Sequence, residues 1–139
     1  MKVKDMMHKG VECASPDTAI NSIAKKMREL DVGAIPIAQN GELVGMITDR
    51  DITIRCVAGN GDMSKIKAKD VMTQGVVYCR DNEDVEDAVR IMEGKQIRRL
   101  PVLDEAMHMV GMISLGDVSH ALPRDITGEV TKAVSAHHR

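Results

Sequence analysis

The sequence repeats itself once, and this repeat limits the folds that the chain can adopt. Lys4-Asp5-Met6-Met7 returns 65 positions later as Lys69-Asp70-Val71-Met72. Further along, Val44-Gly45-Met46-Ile47 returns as Val110-Gly111-Met112-Ile113. Because internal similarity at a fixed spacing is typical of duplicated folding units, the chain is predicted to contain two similar units.

The repeats divide the 139 residues into three parts. We predict one repeat over residues 1–60 and a second over residues 61–122, joined where glycines favour a turn. Residues 123–139 lie outside the repeats and are predicted to form a short helix. Its apolar face consists of Ile126, Val130, Ala133 and Val134.

Both repeats have the same order of predicted elements, which is strand, helix, strand, strand, helix. The first strand is expected around Val11 and Val76, and the helix that follows it has one apolar face. Asn40-Gly41 is a strong hairpin signal between the two later strands of the first repeat. The last helix is expected to begin at Thr48 in one repeat and at Ser114 in the other.

A single unit of this kind has about three strands and cannot cover both faces of its sheet. Two copies packed sheet against sheet bury those faces. We therefore predict an α/β fold of two β-α-β-β-α repeats with pseudo-twofold symmetry, in which equivalent clefts face each other across the axis.

Charge and composition exclude several classes of protein. The net charge is −2 and the pI is about 6.2, so the chain lacks the basic surplus of a nucleic-acid or anionic-membrane binder. No apolar run approaches the roughly 20 residues of a membrane span, and no apolar stretch near Met1 suggests export. We therefore expect a cytoplasmic protein without nucleic-acid or membrane partners.

The duplicated motifs resemble those of a tandem pair of CBS domains, the module named after cystathionine β-synthase, and the match covers about 120 of the 139 residues. The repeats occupy most of the sequence, so we expect no attached catalytic domain and a chain that resembles small stand-alone bacterial CBS-pair proteins. The motifs that carry the resemblance are Lys-Asp-x-Met at 4–7 and 69–72, Gly33-Ala34-Ile35-Pro36-Ile37, Arg98-Arg99-Leu100-Pro101-Val102, and the segments 45–51 and 111–117.

The resemblance implies a regulatory or sensor module rather than an enzyme. It implies a homodimer that requires no cofactor and binds an adenosine nucleotide, such as AMP, ADP, ATP or NAD, as a regulatory ligand. It also implies a regulated partner protein, which the sequence does not identify. The sequence leaves open which nucleotide binds and whether one or both clefts are occupied.

A hydroxyl residue three positions before an aspartate occurs at the same place in both repeats, as Thr48-x-x-Asp51 and Ser114-x-x-Asp117. One interpretation is a capping box, in which the hydroxyl and the carboxylate satisfy the N–H groups that begin a helix. The resemblance implies a second role, in which these residues hold the ribose or phosphate of a nucleotide. The two roles are compatible.

Two arginines precede the proline strand of the second repeat, whereas the first repeat has Gly33-Ala34 there. Arg98 and Arg99 are interpreted either as solvated surface charges or as partners for phosphate. The planar guanidinium group can bind phosphate with two hydrogen bonds. Glycine leaves room for a flat base but supplies no charge. The two clefts are therefore expected to differ.

The resemblance implies two nucleotide sites, each combining residues of both repeats. The apolar members are also compatible with an ordinary core. One site is predicted to contain Asp117, Ser114, Met112, Val11, Val32 and Gly33. The other is predicted to contain Asp51, Thr48, Met46, Val76, Ile97 and Arg98, with Arg99 as a further phosphate candidate.

Two alternatives to nucleotide sensing stay open. The protein could be a ligand-free dimeric interaction protein, or a stress-response protein that uses a thiol. Cys13, Cys56 and Cys79 form no Cys-x-x-Cys pair, so inert thiols are expected. His8 and the cluster Met107-His108-Met109 contain soft metal ligands, but no metal site is predicted, because methionine is abundant throughout the chain.

Overall fold

The structure is a computed structural model, and it describes residues 1–59, 61–120, 128, 132 and 133. Its elements in chain order are α1 (Val3–Met6), α2 (Ile20–Leu30), β1 (Ala34–Gln39), β2 (Glu42–Thr48), α3 (Asp49–Asp51), a π-helical segment (Ile52–Val57), α4 (Ala68–Val71), β3 (Cys79–Arg80), α5 (Val85–Lys95), β4 (Arg99–Leu103), β5 (Met109–Ser114) and α6 (Leu115–Ser119).

The elements group into two compact units that exchange a segment of chain. The central unit comprises Glu12–Val76, and the terminal unit comprises Met1–Val11 with the described part of Val77–Arg139. The first segment of each sequence repeat therefore packs with the strands of the other repeat. Val3 belongs to the core of the terminal unit, and Val71 belongs to the core of the central unit.

In the central unit, β1 and β2 form an antiparallel hairpin. Asn40 and Gly41 connect them with φ values of 54° and 81°, and this pair of positive φ values is typical of a type I′ turn. The predicted hairpin is confirmed. Ala14 adds a parallel bridge to Ile37 on one side, and Thr73 adds an antiparallel bridge to Met46 on the other.

The terminal unit repeats this layout. Strand β4 pairs in parallel with β3 and antiparallel with β5. His8 forms an antiparallel bridge to Met112 of β5, so it occupies the position that Thr73 occupies in the central unit. The mixture of helices and sheets agrees with the predicted α/β class.

The strands predicted around Val11 and Val76 are misplaced. Both residues lie outside the strands, and pairing begins about three residues later, at Ala14 and at Cys79. Gly10 and Gly75 have φ values of 67° and 65°, a left-handed conformation that turns the chain just before Val11 and Val76.

Helices α2 and α5 form as the apolar periodicity predicts. Each buries one face, through Ile20, Ile23 and Met27 in α2 and through Val85, Ala88, Val89 and Met92 in α5. Leu30, at the last position of α2, is 42% exposed.

The predicted helix at 123–139 falls outside the described residues, apart from positions 128, 132 and 133, which are helical. In the described part of the chain, no helix is long and apolar enough to cross a membrane.

Candidate functional site

The junction between β5 and α6 carries the first candidate site, and it forms a complete capping box. Ser114 Oγ accepts a hydrogen bond from the Asp117 backbone N–H at 3.2 Å. Asp117 Oδ2 accepts one from the Ser114 backbone N–H at 2.8 Å. These reciprocal bonds hold the carboxylate in one orientation, and its side chain is only 12% exposed.

The other oxygen of Asp117 faces His8. His8 Nε2 lies 2.7 Å from Asp117 Oδ1, and the histidine side chain is 72% exposed. The His8 backbone is held on β5, because its N–H donates to the Met112 carbonyl at 2.8 Å and its carbonyl accepts from the Met112 N–H at 3.0 Å. The sequence analysis missed His8 as a partner of Asp117, because nothing local connects residues 109 positions apart.

Packing against Gly111 places His8 beside this junction. A Cβ atom on Gly111 would lie 2.7 Å from the His8 carbonyl oxygen and 2.7 Å from Met7 Sδ. The segment that precedes His8 therefore lies directly against the glycine backbone of β5, which brings the imidazole within reach of α6.

The junction between β2 and α3 carries the equivalent candidate site in the central unit. Asp51 Oδ2 accepts a hydrogen bond from the Thr48 N–H at 3.0 Å, and Thr48 Oγ1 accepts one from the Asp51 N–H at 3.1 Å. The partner of Oδ1 is different here, since Arg55 Nε lies 3.9 Å away. Arg55 also donates from Nη1 to the Val71 carbonyl at 2.6 Å, and it too was missed from the sequence.

The capping interpretation is thus realised at both junctions. In each, one carboxylate oxygen completes the cap and the other lies near a basic side chain. Oδ1 of Asp117 and of Asp51 takes no part in the cap, so a ligand hydroxyl group can bind it in place of the basic side chain. A cap and a ligand contact can therefore share one aspartate.

The residues at the start of β4 and just before β1 lie against these junctions. The Arg98 carbonyl accepts a hydrogen bond from the Leu115 N–H at 2.7 Å, and Arg99 is the register partner of Ser114. Both arginines are exposed. Gly33 takes the equivalent place in the central unit, where its carbonyl accepts from the Asp49 N–H at 3.0 Å.

The predicted site residues are distributed over both units. The terminal unit contains Asp117, Ser114, Met112, Val11, Ile97, Arg98 and Arg99, and the central unit contains Asp51, Thr48, Met46, Val76, Val32 and Gly33. The structure therefore brings together part of each predicted site, and the assignments that combine residues of the two units stay predictions.

The apolar candidates are less buried than core residues. Val11, Met46, Val76, Ile97 and Met112 are half-buried and Val32 is 42% exposed. The core residues that follow Met46 and Met112, by contrast, are fully buried, at Ile47 and Ile113. Ile97, for example, packs against the core of the terminal unit, so the core interpretation and the ligand interpretation of these residues both stay open.

Burial raises the pKa of all three cysteine thiols above the ordinary value, and that of Cys79 to about 12. A reactive thiol needs a lowered pKa, which stabilises the thiolate. Reactivity at these positions is therefore disfavoured. Among the described residues, no three His, Cys, Asp or Glu side chains are grouped closely enough to hold a metal ion.

The model of the CBS domain matches this chain twice, over residues 3–57 and 68–124. The chain belongs to the CBS-domain family. This confirms the resemblance and the predicted α/β class of two CBS repeats. The repeat boundaries predicted at residues 60 and 122 stay predictions.

Two bacterial relatives are similar to this CBS pair over most of their own length. CBS domain-containing protein YhcV of Bacillus subtilis is 40% identical over 117 residues, which cover 84% of this chain and 82% of YhcV. Hypoxic response protein 1 of Mycobacterium tuberculosis is 33% identical over 132 residues, which cover 94% of this chain and 92% of that protein.

Solved structures with a similar fold hold different ligands. The crystal structure of Hypoxic Response Protein I, with two coordinated zinc ions, has a TM-score of 0.80 at 33% identity and covers 88% of this chain and 100% of that one. CBSX2 in complex with AMP has a TM-score of 0.74 at 25% identity, with coverage of 86% and 94%. The CBS pair of MJ0100, in complex with 5′-methylthioadenosine and S-adenosyl-L-methionine, has a TM-score of 0.77 at 29% identity, with coverage of 87% and 94%.

Proposed function

We propose that this CBS pair is a non-catalytic regulatory module that binds an adenosine nucleotide and communicates its presence to a partner protein. The observation that carries the proposal is the duplicated junction in which Asp117 and Asp51 each use one carboxylate oxygen in a cap and direct the other toward a basic side chain, His8 or Arg55, rather than into the cap. The complexes of CBSX2 with AMP and of MJ0100 with S-adenosyl-L-methionine support an adenosine ligand.

The carboxylates suit a ribose diol. Each ribose hydroxyl can donate a hydrogen bond, and Oδ1 of Asp117 or Asp51 can accept one. The backbone bonds from Ser114 and Thr48 fix the orientation of the acceptor before the ligand arrives, which reduces the entropy lost on binding. We assign Asp117 and Asp51 the role of ribose acceptors.

The remaining candidates suit the other parts of a nucleotide. The exposed guanidinium groups of Arg98 and Arg99 are suited to phosphate, which they can bind with two parallel hydrogen bonds. The half-buried side chains of Met46, Met112, Val11, Val76 and Ile97, together with Val32 and Gly33, supply apolar surface for adenine.

The test is direct. Protein purified and then denatured should release an adenosine nucleotide that mass spectrometry identifies, and the nucleotide-free protein should be stabilised when nucleotide is added back. A ligand present at 100 times its Kd stabilises the folded state by about 2.7 kcal/mol. A panel of AMP, ADP, ATP, NAD and S-adenosylmethionine that leaves the melting temperature unchanged would refute the proposal and favour a ligand-free interaction protein.

We also infer that the protein is a homodimer. Ile54 and Val57 of the π-helical segment are 54% and 57% exposed, and a second copy that covered them would remove apolar surface from water. A twofold contact between identical chains is the commonest way to achieve this. Location in the cytoplasm stays a prediction.

A further inference from the structure

We propose that His8 competes with the nucleotide ribose for Asp117, so that ligand binding at this junction requires His8 to move away. The inference rests on the proposed function. His8 Nε2 already lies 2.7 Å from Asp117 Oδ1, and Oδ2 already accepts from the Ser114 N–H at 2.8 Å. Oδ2 therefore has a donor, and Oδ1 has a basic nitrogen within hydrogen-bond distance, before any ligand arrives.

The exposure of the two partners indicates which of them moves. The Asp117 side chain is 12% exposed and bound by the cap, whereas the His8 side chain is 72% exposed. The His8 backbone is paired with Met112 and packed on Gly111, so only the imidazole is able to rotate away. The fold therefore places the imidazole of His8, which a ligand can displace, beside the carboxylate of Asp117, which the cap holds in place.

The duplication provides a comparison within the chain. Thr73 occupies the equivalent position in the central unit, where it forms the bridge to Met46. A threonine side chain carries no charge at any pH. The basic neighbour of Asp51 is instead Arg55, at 3.9 Å, which stays charged over the whole physiological range. Of the two junctions, only that of Asp117 therefore has a neighbouring side chain whose charge changes with pH in this range.

Protonation determines the strength of this competition. An imidazole ordinarily gains its charge as the pH falls from 8 to 5, and a charged donor binds a carboxylate more strongly than a neutral one does. Acid should therefore weaken ribose binding. The other charged or titratable groups on the surrounding elements include Lys4 and Asp5 of α1, Lys9, Arg98, Arg99 and His120, which follows α6 directly. Strand β5 has none, and Asp5 accepts a hydrogen bond from the Lys2 N–H at 3.2 Å.

The test uses adenosine, which carries the diol but no phosphate. Phosphate is unsuitable, because it titrates near pH 6 and would itself be attracted to an imidazolium. Binding is measured by calorimetric titration from about pH 5.5 to about pH 8.5, in an Asp51→Asn background that removes the other ribose acceptor. His8→Thr copies the residue at position 73, and His8→Gln keeps a donor that does not titrate.

The expected result is an adenosine affinity that falls in acid for the His8 protein. We expect His8→Thr to bind about fivefold more tightly in acid, the size of one largely exposed ion pair, and to show no pH dependence. In acid, the adenosine affinity of His8→Gln should lie between those of the parent and of His8→Thr, and it should also be independent of pH. His108→Thr is the matched control, because His108 lies at the opposite end of β5 and should leave the profile unchanged.

Three other results would show that the inference is wrong. If His8→Thr binds adenosine with the affinity and pH dependence of the parent, His8 does not compete and the inference is wrong, while the proposed function stands. If His8→Thr binds less tightly, His8 assists the ligand instead, and the inference is again wrong. If neither the parent nor any variant binds adenosine at any pH, the inference is wrong, and the nucleotide panel described above decides the proposed function separately.

Discussion

Alanine at two equivalent glycines should have unequal effects on stability. Gly111 and Gly45 occupy the same repeat position, and each accepts a methionine directly against its backbone. A Cβ on Gly111 would lie 2.7 Å from the His8 carbonyl oxygen, which belongs to the backbone and is bonded to the Met112 N–H at 3.0 Å. It would also lie 2.7 Å from Met7 Sδ.

At Gly45 the three nearest atoms all belong to the Met72 side chain, with Sδ the closest and Cγ at 2.8 Å. Methionine has three rotatable side-chain bonds and adapts to such changes. A backbone carbonyl in a strand bridge cannot move without loss of its hydrogen bonds. We expect Gly111→Ala to destabilise the protein by about 2 kcal/mol, within the usual range for overpacking. Gly45→Ala should cost less than about 1 kcal/mol.

Urea unfolding followed by circular dichroism measures the difference. With an m value of about 2 kcal/mol per M, Gly111→Ala should lower the unfolding midpoint by about 1 M, and Gly45→Ala by less than half of that. The reasoning would be refuted if Gly45→Ala cost as much as Gly111→Ala, or if Gly111→Ala unfolded at the wild-type midpoint.

Three further predictions concern the aspartates, a thiol and the oligomeric state. Asn keeps a side-chain oxygen that can accept from the Ser114 or Thr48 N–H, so Asp117→Asn and Asp51→Asn should unfold within about 1 kcal/mol of wild type. Both should bind nucleotide more weakly, and by unequal amounts, in calorimetric titrations. Wild-type affinity with lowered stability in both would mean that the carboxylates only cap. Burial raises the pKa of Cys79 from 9.0 to about 12, so the folded-state pKa exceeds the unfolded one. Its contribution to stability is therefore complete below about pH 9 and is lost as the pH rises toward 12. Iodoacetamide at pH 8 should label Cys79 only after unfolding, as peptide mass spectrometry would show, and rapid labelling of the native protein would contradict this. Light scattering should give about twice the chain mass of 15.2 kDa, and the monomer mass at micromolar concentration would exclude the dimer.

Features that depend on near neighbours in the chain were predictable from the sequence. Helices α2 and α5 follow from apolar residues at helical spacing. The Asn40-Gly41 turn forms because these two residue types tolerate a positive φ. Both capping boxes form because their bonds join residues only three positions apart.

The tertiary structure decided the features that depend on pairing between distant segments. The strands begin at Ala14 and Cys79 rather than at Val11 and Val76, because the pairing with β1 and β4 sets where a strand begins. The sequence repeat likewise does not show that the first segment of each repeat packs with the strands of the other repeat.

The partner of each candidate ribose acceptor is also a tertiary result. Residue type and spacing alone indicate that Asp117 and Asp51 follow a hydroxyl residue at the start of a helix. Only the fold determined that His8 reaches one of them, because that contact depends on the packing of Met7 and His8 against Gly111. Local hydrogen bonds are encoded by residue type and spacing, whereas a contact across 109 positions depends on how the chain packs between them.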